Sequence, residues 1–259
     1  MSGGWVVKPQ SANNSQGVKL GKTRPELERA LSGALAMSAG ALVERKVPGI
    51  VVNVDGIMAG GEYHPVSTTW RMGSSFDAAV CTAMVQPADL WSGFVPRLHE
   101  LAEAAARALG YRDGPLTVDT MADVATKSLW CLEVSPHHHS INCEMLRGNG
   151  APITAFARYL NGDEGWDGSL PGSIAGNALC YQRFGTQTGC VDSLRGETWL
   201  TECEAVLDHT WLIKPGETSA PGRCVALIWA EYSDRASLDT LVADIESQVD
   251  IVVSNHEGS

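Results

Sequence analysis

LTVDTMADVATKSLWCLEVSPHHH, residues 116–139, holds two apolar β-rich runs separated by about six small or polar residues. The spacing predicts two antiparallel strands, 116–121 and 128–134, joined by a short turn. Asp119 lies in the first and Glu133 in the second. Adjacent strands that each offer one carboxylate on a shared face can hold a magnesium ion between them, because that cation takes a few carboxylates, water and phosphate oxygens. Two acids on solvated strand faces would read the same way. His137, His138 and His139 follow. In a strand at most two of them share a face. In a loop all three can converge, and a zinc site would then need a fourth ligand, with Cys143 nearest.

Working back toward the amino terminus, 96–109 carries Leu98, Leu101, Ala102, Ala105 and Leu109 at helical spacing, with Gly110 at the C′ position. The β-rich runs 50–58 and 62–70 meet at Ala-Gly-Gly and predict a hairpin. Residues 41–47 form a strand closed by Pro48-Gly49. Thr23 and Glu26 make a capping box, with Pro25 in the first turn of a helix whose stripe is Leu27, Ala30, Leu31, Ala34 and Leu35. Before it, WVVKPQSANNSQGV sets Lys8 at a strand end and a small-residue loop closed by Gly17. That arrangement suits a phosphate grip or a surface hairpin, and it lacks the GxxxxGK[ST] pattern of a Walker loop. Glu44 in ALVERK offers an acceptor on a strand.

Toward the carboxy terminus, 144–159 has helical character and 161–173 is a Gly- and Asp-rich linker. Strands follow at 178–184, near Val206 and Trp211, and at 224–230. A last helix over 237–249 is built on Leu238, Leu241, Val242, Ile245 and Val249. The order of elements is α+β with antiparallel character rather than a series of βαβ units.

Composition narrows the function classes. With 19 basic and 30 acidic residues the chain carries a formal charge of −11, which argues against a nucleic-acid partner. No apolar run is long enough to span a bilayer, and the first ten residues lack the pattern of a signal peptide. Seven cysteines without a CxxC suit reduced thiols in a cytoplasmic protein.

In order, WVVKPQSANNSQGVKL, TRPELERAL, LVERKVPG, VNVDGIMAGGEYHPVSTTWR, LAEAAARALGYRDGPLTVD and LWCLEVSP resemble the ATP-grasp superfamily, in its carboxylate–amine (amino-acid) ligase branch. QRFGTQTGCVDSL, HTWLIKPGE and the last helix are similar to the lid subdomain of its carboxylase-like branch. The resemblance implies two α+β subdomains with antiparallel sheets gripping ATP, plus a carboxy-terminal lid-like subdomain. The expected boundaries are 1–49 (small subdomain with the phosphate loop), 50–162 (large subdomain with the metal site), 163–173 (linker) and 174–259 (lid-like).

The resemblance also implies ATP and magnesium as cofactors and small-molecule carboxylate and amine substrates. Lys8 would meet the phosphates beneath a loop holding Ser15, Gln16 and Gly17. Glu44, Arg45 and Val47 would frame adenine. Asp119, Glu133 and Ser135 would ligate the metal, and His137 would join Lys8 in catalysis. Two positions depart from the family pattern E-x-N-P-R. Ser135 stands for the asparagine and His137 for the arginine, which exchanges a fork of donors for a titratable ring. The family's further amino-terminal domain, on the order of 100 residues, has no counterpart in these 259. The resemblance leaves it lost, supplied by another chain or omitted by a wrong start codon, and the expected partner is such a chain or a second copy in a homodimer.

Overall fold

The computed structural model describes residues 3–12, 16–73, 81–86, 91–138 and 177–254. Three sheets carry the fold, and every strand pair among the described residues is antiparallel.

The first sheet has the order β2-β1-β3, from β1 (Trp5–Pro9), β2 (Lys19–Gly21) and β3 (Ala41–Arg45). Helix α1 (Arg24–Met37) covers one face. Its start is the expected capping box, with Thr23 Oγ1 accepting from the Glu26 N–H and Glu26 accepting from the Thr23 N–H. Ala30 and Ala34 pack on Val7, with Leu27 and Leu31 at the margin. Leu35 is half exposed. It lies about 80° round the helix from Leu27, beyond the reach of so narrow a sheet.

The second sheet has eight strands in the order β11-β13-β9-β6-β5-β4-β7-β8. β4 (Ile50–Ala59) and β5 (Glu62–Met72) form the hairpin expected at Ala-Gly-Gly. Gly60 and Gly61 both take positive φ, +61° and +89°, as a two-residue hairpin turn that follows strand twist requires. β7 (Gly114–Asp123) and β8 (Ser128–Ser135) pair side by side. Helix α2 (Phe94–Ala108) starts two residues earlier than its leucine pattern indicates and ends in a Schellman motif, with Tyr111 N–H on Ala106 O and Gly110 N–H on Arg107 O. Phe94, Leu98, Ala102 and Ala106 bury against Val52, Val54, Leu116 and Val118. Burying Phe94 and Leu98 fully is worth about 1.5–3 kcal/mol each.

β6 (Ala83–Gln86) links that half to β9 (Asn177–Phe184), β13 (Cys224–Tyr232) and β11 (Val206–Trp211). Strands from both sides of the expected 163–173 linker therefore belong to one sheet. The linker itself and the expected 144–159 helix lie outside the described residues. Helix α3 (Glu197–Glu202) and helix α4 (Arg235–Gln248) flank this half, and α4 packs Leu238, Leu241 and Ile245 onto Leu179 and Ile228. A third sheet, β12-β10-β14, is built from β10 (Gly189–Arg195), β12 (Thr218–Ser219) and β14 (Asp250–Ser254).

Candidate nucleotide and metal site

Successive side chains of a strand alternate between faces. With α2 taking Val52, Val54, Leu116 and Val118, the face turned away from α2 receives Asn53, Asp55, Thr117 and Asp119. Register lines them up. Thr69, Asn53, Asp119 and Glu133 form one row across β5, β4, β7 and β8. Ser67, Asp55, Thr117 and Ser135 form the next. The two expected carboxylates are thus direct cross-strand neighbours. The β7–β8 register shifts beside them, between Asp119 and Thr120, as bulges near functional sites do.

Asp119 is held by two donors. Asn53 Nδ2 donates to its Oδ1, and Arg71 Nη2 donates to its Oδ2 at 2.8 Å. Arg71 Nε also donates to Asn53 Oδ1 at 2.8 Å, closing a three-membered network. Burial pushes the Asp119 carboxyl above its usual range, and the Glu133 carboxylate adds to that. Arg71 opposes by charge and hydrogen bond, and His137 by charge alone. Glu133 is exposed, and Ser135 Oγ approaches its Oε1 at 3.4 Å. The neighbouring Asp55 is fully buried and accepts from Ser67 Oγ at 3.0 Å and from Thr117 Oγ1. Two opposed carboxylates with a hydroxyl beside them are a donor set suited to a hard cation that keeps water and phosphate oxygens in its shell.

The histidines follow β8 directly. His137 is exposed, and its Nδ1 lies 3.0 Å from the His138 main-chain oxygen. His138 Nε2 is 2.9 Å from the carbonyl oxygen of Gly56, so Nε2 carries the proton. This ties the segment after β8 to β4. His139 and Cys143, invoked for zinc, lie outside the described residues. Among the described residues no three His, Cys, Asp or Glu side chains converge as a metal site.

The second cluster sits on the small sheet. Lys8 Nζ lies 2.5 Å from Glu44 Oε2, across β1 and β3. Gly17 takes φ +74°, and a Cβ there would meet Met37 Sδ and Pro9 Cγ at 2.6 and 2.7 Å, so the loop's closing glycine is required by space as well as by conformation. Gln16 is exposed; Ser15 lies outside the described residues. β3 is an edge strand. Lys46 N–H bonds inward to Gly4 O, so strand alternation turns the Arg45 N–H and C=O outward. Val47 follows, half-buried, on the way to β4. The structure therefore joins Lys8 with Glu44, and Asp119 with Glu133, Ser135 and His137. Sequence reasoning did not find Arg71 and Asn53, the two side chains that fix Asp119.

No protein-family model matches this sequence, and no curated protein matches it. Solved structures do match. L-amino acid ligase from Bacillus licheniformis aligns with a TM-score of 0.80 at 16% identity, over 98% of this chain and 64% of that one. A biotin carboxylase–βγ-ATP complex from Campylobacter jejuni gives 0.70 at 15%, over 96% of this chain and 58% of that one. The biotin carboxylase domain of Hydrogenobacter thermophilus 2-oxoglutarate carboxylase, in complex with MgADP, ADP and bicarbonate, gives 0.72 at 13%, over 96% and 58%. The chain has the ATP-grasp fold shared by these proteins. It spans 58–64% of the length of these three.

Proposed function

We propose that this chain grips ATP and magnesium for a ligase that activates a small carboxylate and joins it to an amine. The observation that carries this reading is the placement of Asp119 opposite Glu133 on the face of an ATP-grasp sheet turned away from α2. Lys8 supplies a point charge for phosphate oxygens beneath the loop of Ser15, Gln16 and Gly17. The outward Arg45 backbone and the Val47 region supply hydrogen bonds and apolar cover for adenine, with Glu44 at its edge. Asp119, Glu133 and Ser135 hold magnesium. When bound, that ion neutralises the charge of the transferring phosphoryl group.

The chemistry runs in two steps. A carboxylate oxygen takes the γ-phosphoryl group and ADP leaves. The amine nitrogen then attacks the acyl phosphate, and inorganic phosphate departs with the amide formed. The chain's contribution is position and charge. His137, next to the carboxylates, steadies the phosphoryl group when it carries a proton. Substrates are small molecules, met by the chain together with a partner chain or a second copy, in a cytoplasmic setting. No helix among the described residues is long and apolar enough to cross a membrane.

A second reading, a nucleotide-binding or scaffold subunit without catalysis, is favoured by Ser135 and His137 standing where the ligase pattern has asparagine and arginine. Phosphate release from ATP separates the two. Release that requires both an amino acid and an amine supports the ligase. Nucleotide binding with no release against an amino-acid panel supports the second.

A further inference from the structure

Arg71 is not among the residues that the ATP-grasp reading assigns, yet it is ion-paired directly to one of the candidate metal ligands. It reaches from β5 across β4 to β7. Its Nε is fixed on Asn53 Oδ1 and its Nη2 on Asp119 Oδ2, both at 2.8 Å, while Asn53 itself is fully buried. Arg71 and Asp119 keep only 20% and 22% of their side-chain surface exposed. The guanidinium is planar and permanently charged, and two bonds set its orientation. It is a fixed positive charge built against one of two facing carboxylates.

We infer that Arg71 acts as a resident cation that makes the Asp119–Glu133 pair a receptor for a metal–polyphosphate complex and a poor receptor for the bare metal ion. Three observations support this. Each Asp119 oxygen already accepts a hydrogen bond, one from Asn53 and one from Arg71, so the lone pairs left for a metal are reduced. The guanidinium offsets one of the two carboxylate charges that would draw a divalent ion from water. The same charge attracts a polyphosphate, whose oxygens complete the shell of a metal it brings along. Arg71 is a positioning residue here, acting through Asp119. This inference rests on the nucleotide-site reading, and its principal test needs no nucleotide.

The test is manganese binding, counted by electron paramagnetic resonance on the full chain. Without nucleotide the wild-type chain should bind no Mn²⁺ in the micromolar range. Arg71→Gln, which keeps polar length but loses the charge, should bind one Mn²⁺ at least tenfold more tightly. Adding Glu133→Gln to that variant should abolish the gain. Arg71→Lys, which keeps the charge, should behave as wild type. Tight Mn²⁺ binding by the nucleotide-free wild-type chain overturns the inference, as does equal binding by wild type and a folded Arg71→Gln. If Arg71→Gln fails to fold, Arg71→Lys and the wild type still decide, because tight metal binding by either contradicts a resident cation. Adding a non-hydrolysable ATP analogue is a separate arm. Failure of the analogue to bind, with the manganese pattern intact, defeats the nucleotide reading and the polyphosphate half of the inference, and leaves only the exclusion of the bare metal ion by Arg71.

Discussion

Lys8 and Glu44, thirty-six positions apart in sequence, meet at 2.5 Å across β1 and β3. The ammonium proposed for phosphate is thus already partnered by the carboxylate proposed for adenine's edge. Both side chains keep contact with water, so the pair adds little to stability, at most about 1 kcal/mol, and its value lies in aiming Lys8. Lys8→Met should weaken binding of an ATP analogue about tenfold while leaving the melting temperature within a few degrees. Glu44→Gln should leave phosphate affinity equal or higher. Calorimetry with adenosine and with the triphosphate separates the two contributions. A Lys8→Met chain that binds the triphosphate as wild type does removes Lys8 from the site.

Asn53 is the hinge of the Arg71–Asp119 network. It is wholly buried, and it both donates and accepts within the network. Asn53→Ala strips one donor from Asp119 and one acceptor from Arg71 in a partly buried setting. The expected loss is about 2–4 kcal/mol in urea denaturation. A loss below about 1 kcal/mol would mean the network is dispensable to the fold.

Under the opposite face of the sheet, His99 Nδ1 lies 2.8 Å from Tyr63 Oη. Burial lowers the His99 pKa from 6.5 to about 4. The folded state therefore resists a proton that the unfolded chain accepts. Stability from this group is complete above pH 6.5 and is lost as pH falls toward 4, by an amount on the order of 3 kcal/mol. His99→Gln should flatten the pH dependence of unfolding in that window. An unchanged slope would contradict a buried neutral histidine.

The turn at Gly60 and Gly61 rests on two positive φ angles. Gly61→Ala should cost about 1–2 kcal/mol, and Gly61→Asn less, since asparagine tolerates the left-handed region. Thermal melts of the two variants check the order.

Much of the framework was legible because local chemistry and tertiary packing agree. The Thr23–Glu26 box and the Gly-Gly turn satisfy their own backbone at the ends of elements that pack on the core, and Leu98 and Ala102 of the α2 stripe are buried, with Phe94 and Ala106 completing that face while Leu109 stays exposed. The Asp119 and Glu133 strands were readable for the same reason, as β-rich runs around a turn. β6, β10 and β14 were not. Ala83–Gln86 is only four residues long and lies between β5 and β9, the second of them distant in sequence at Asn177–Phe184. Arg71 and Asn53 were hidden because each looks like an ordinary polar residue on a hairpin. The signal was there in Asn53 and Asp55 alternating with Val52 and Val54, facing Ser67, Thr69 and Arg71. Polar residues recurring every second position in a strand whose other face is core mark a second buried or functional face. Which of them bonds to which depends on register across β5, β4 and β7, and composition does not encode that.

The most direct test of the nucleotide site is a calorimetric titration of the chain with a non-hydrolysable ATP analogue, with and without magnesium, repeated on Asp119→Asn and Glu133→Gln. The account predicts saturable binding that tightens at least tenfold with magnesium, and loss of most of that gain in either variant. Binding that is equal with and without magnesium, or unchanged in both variants, would contradict the assignment of Asp119 and Glu133.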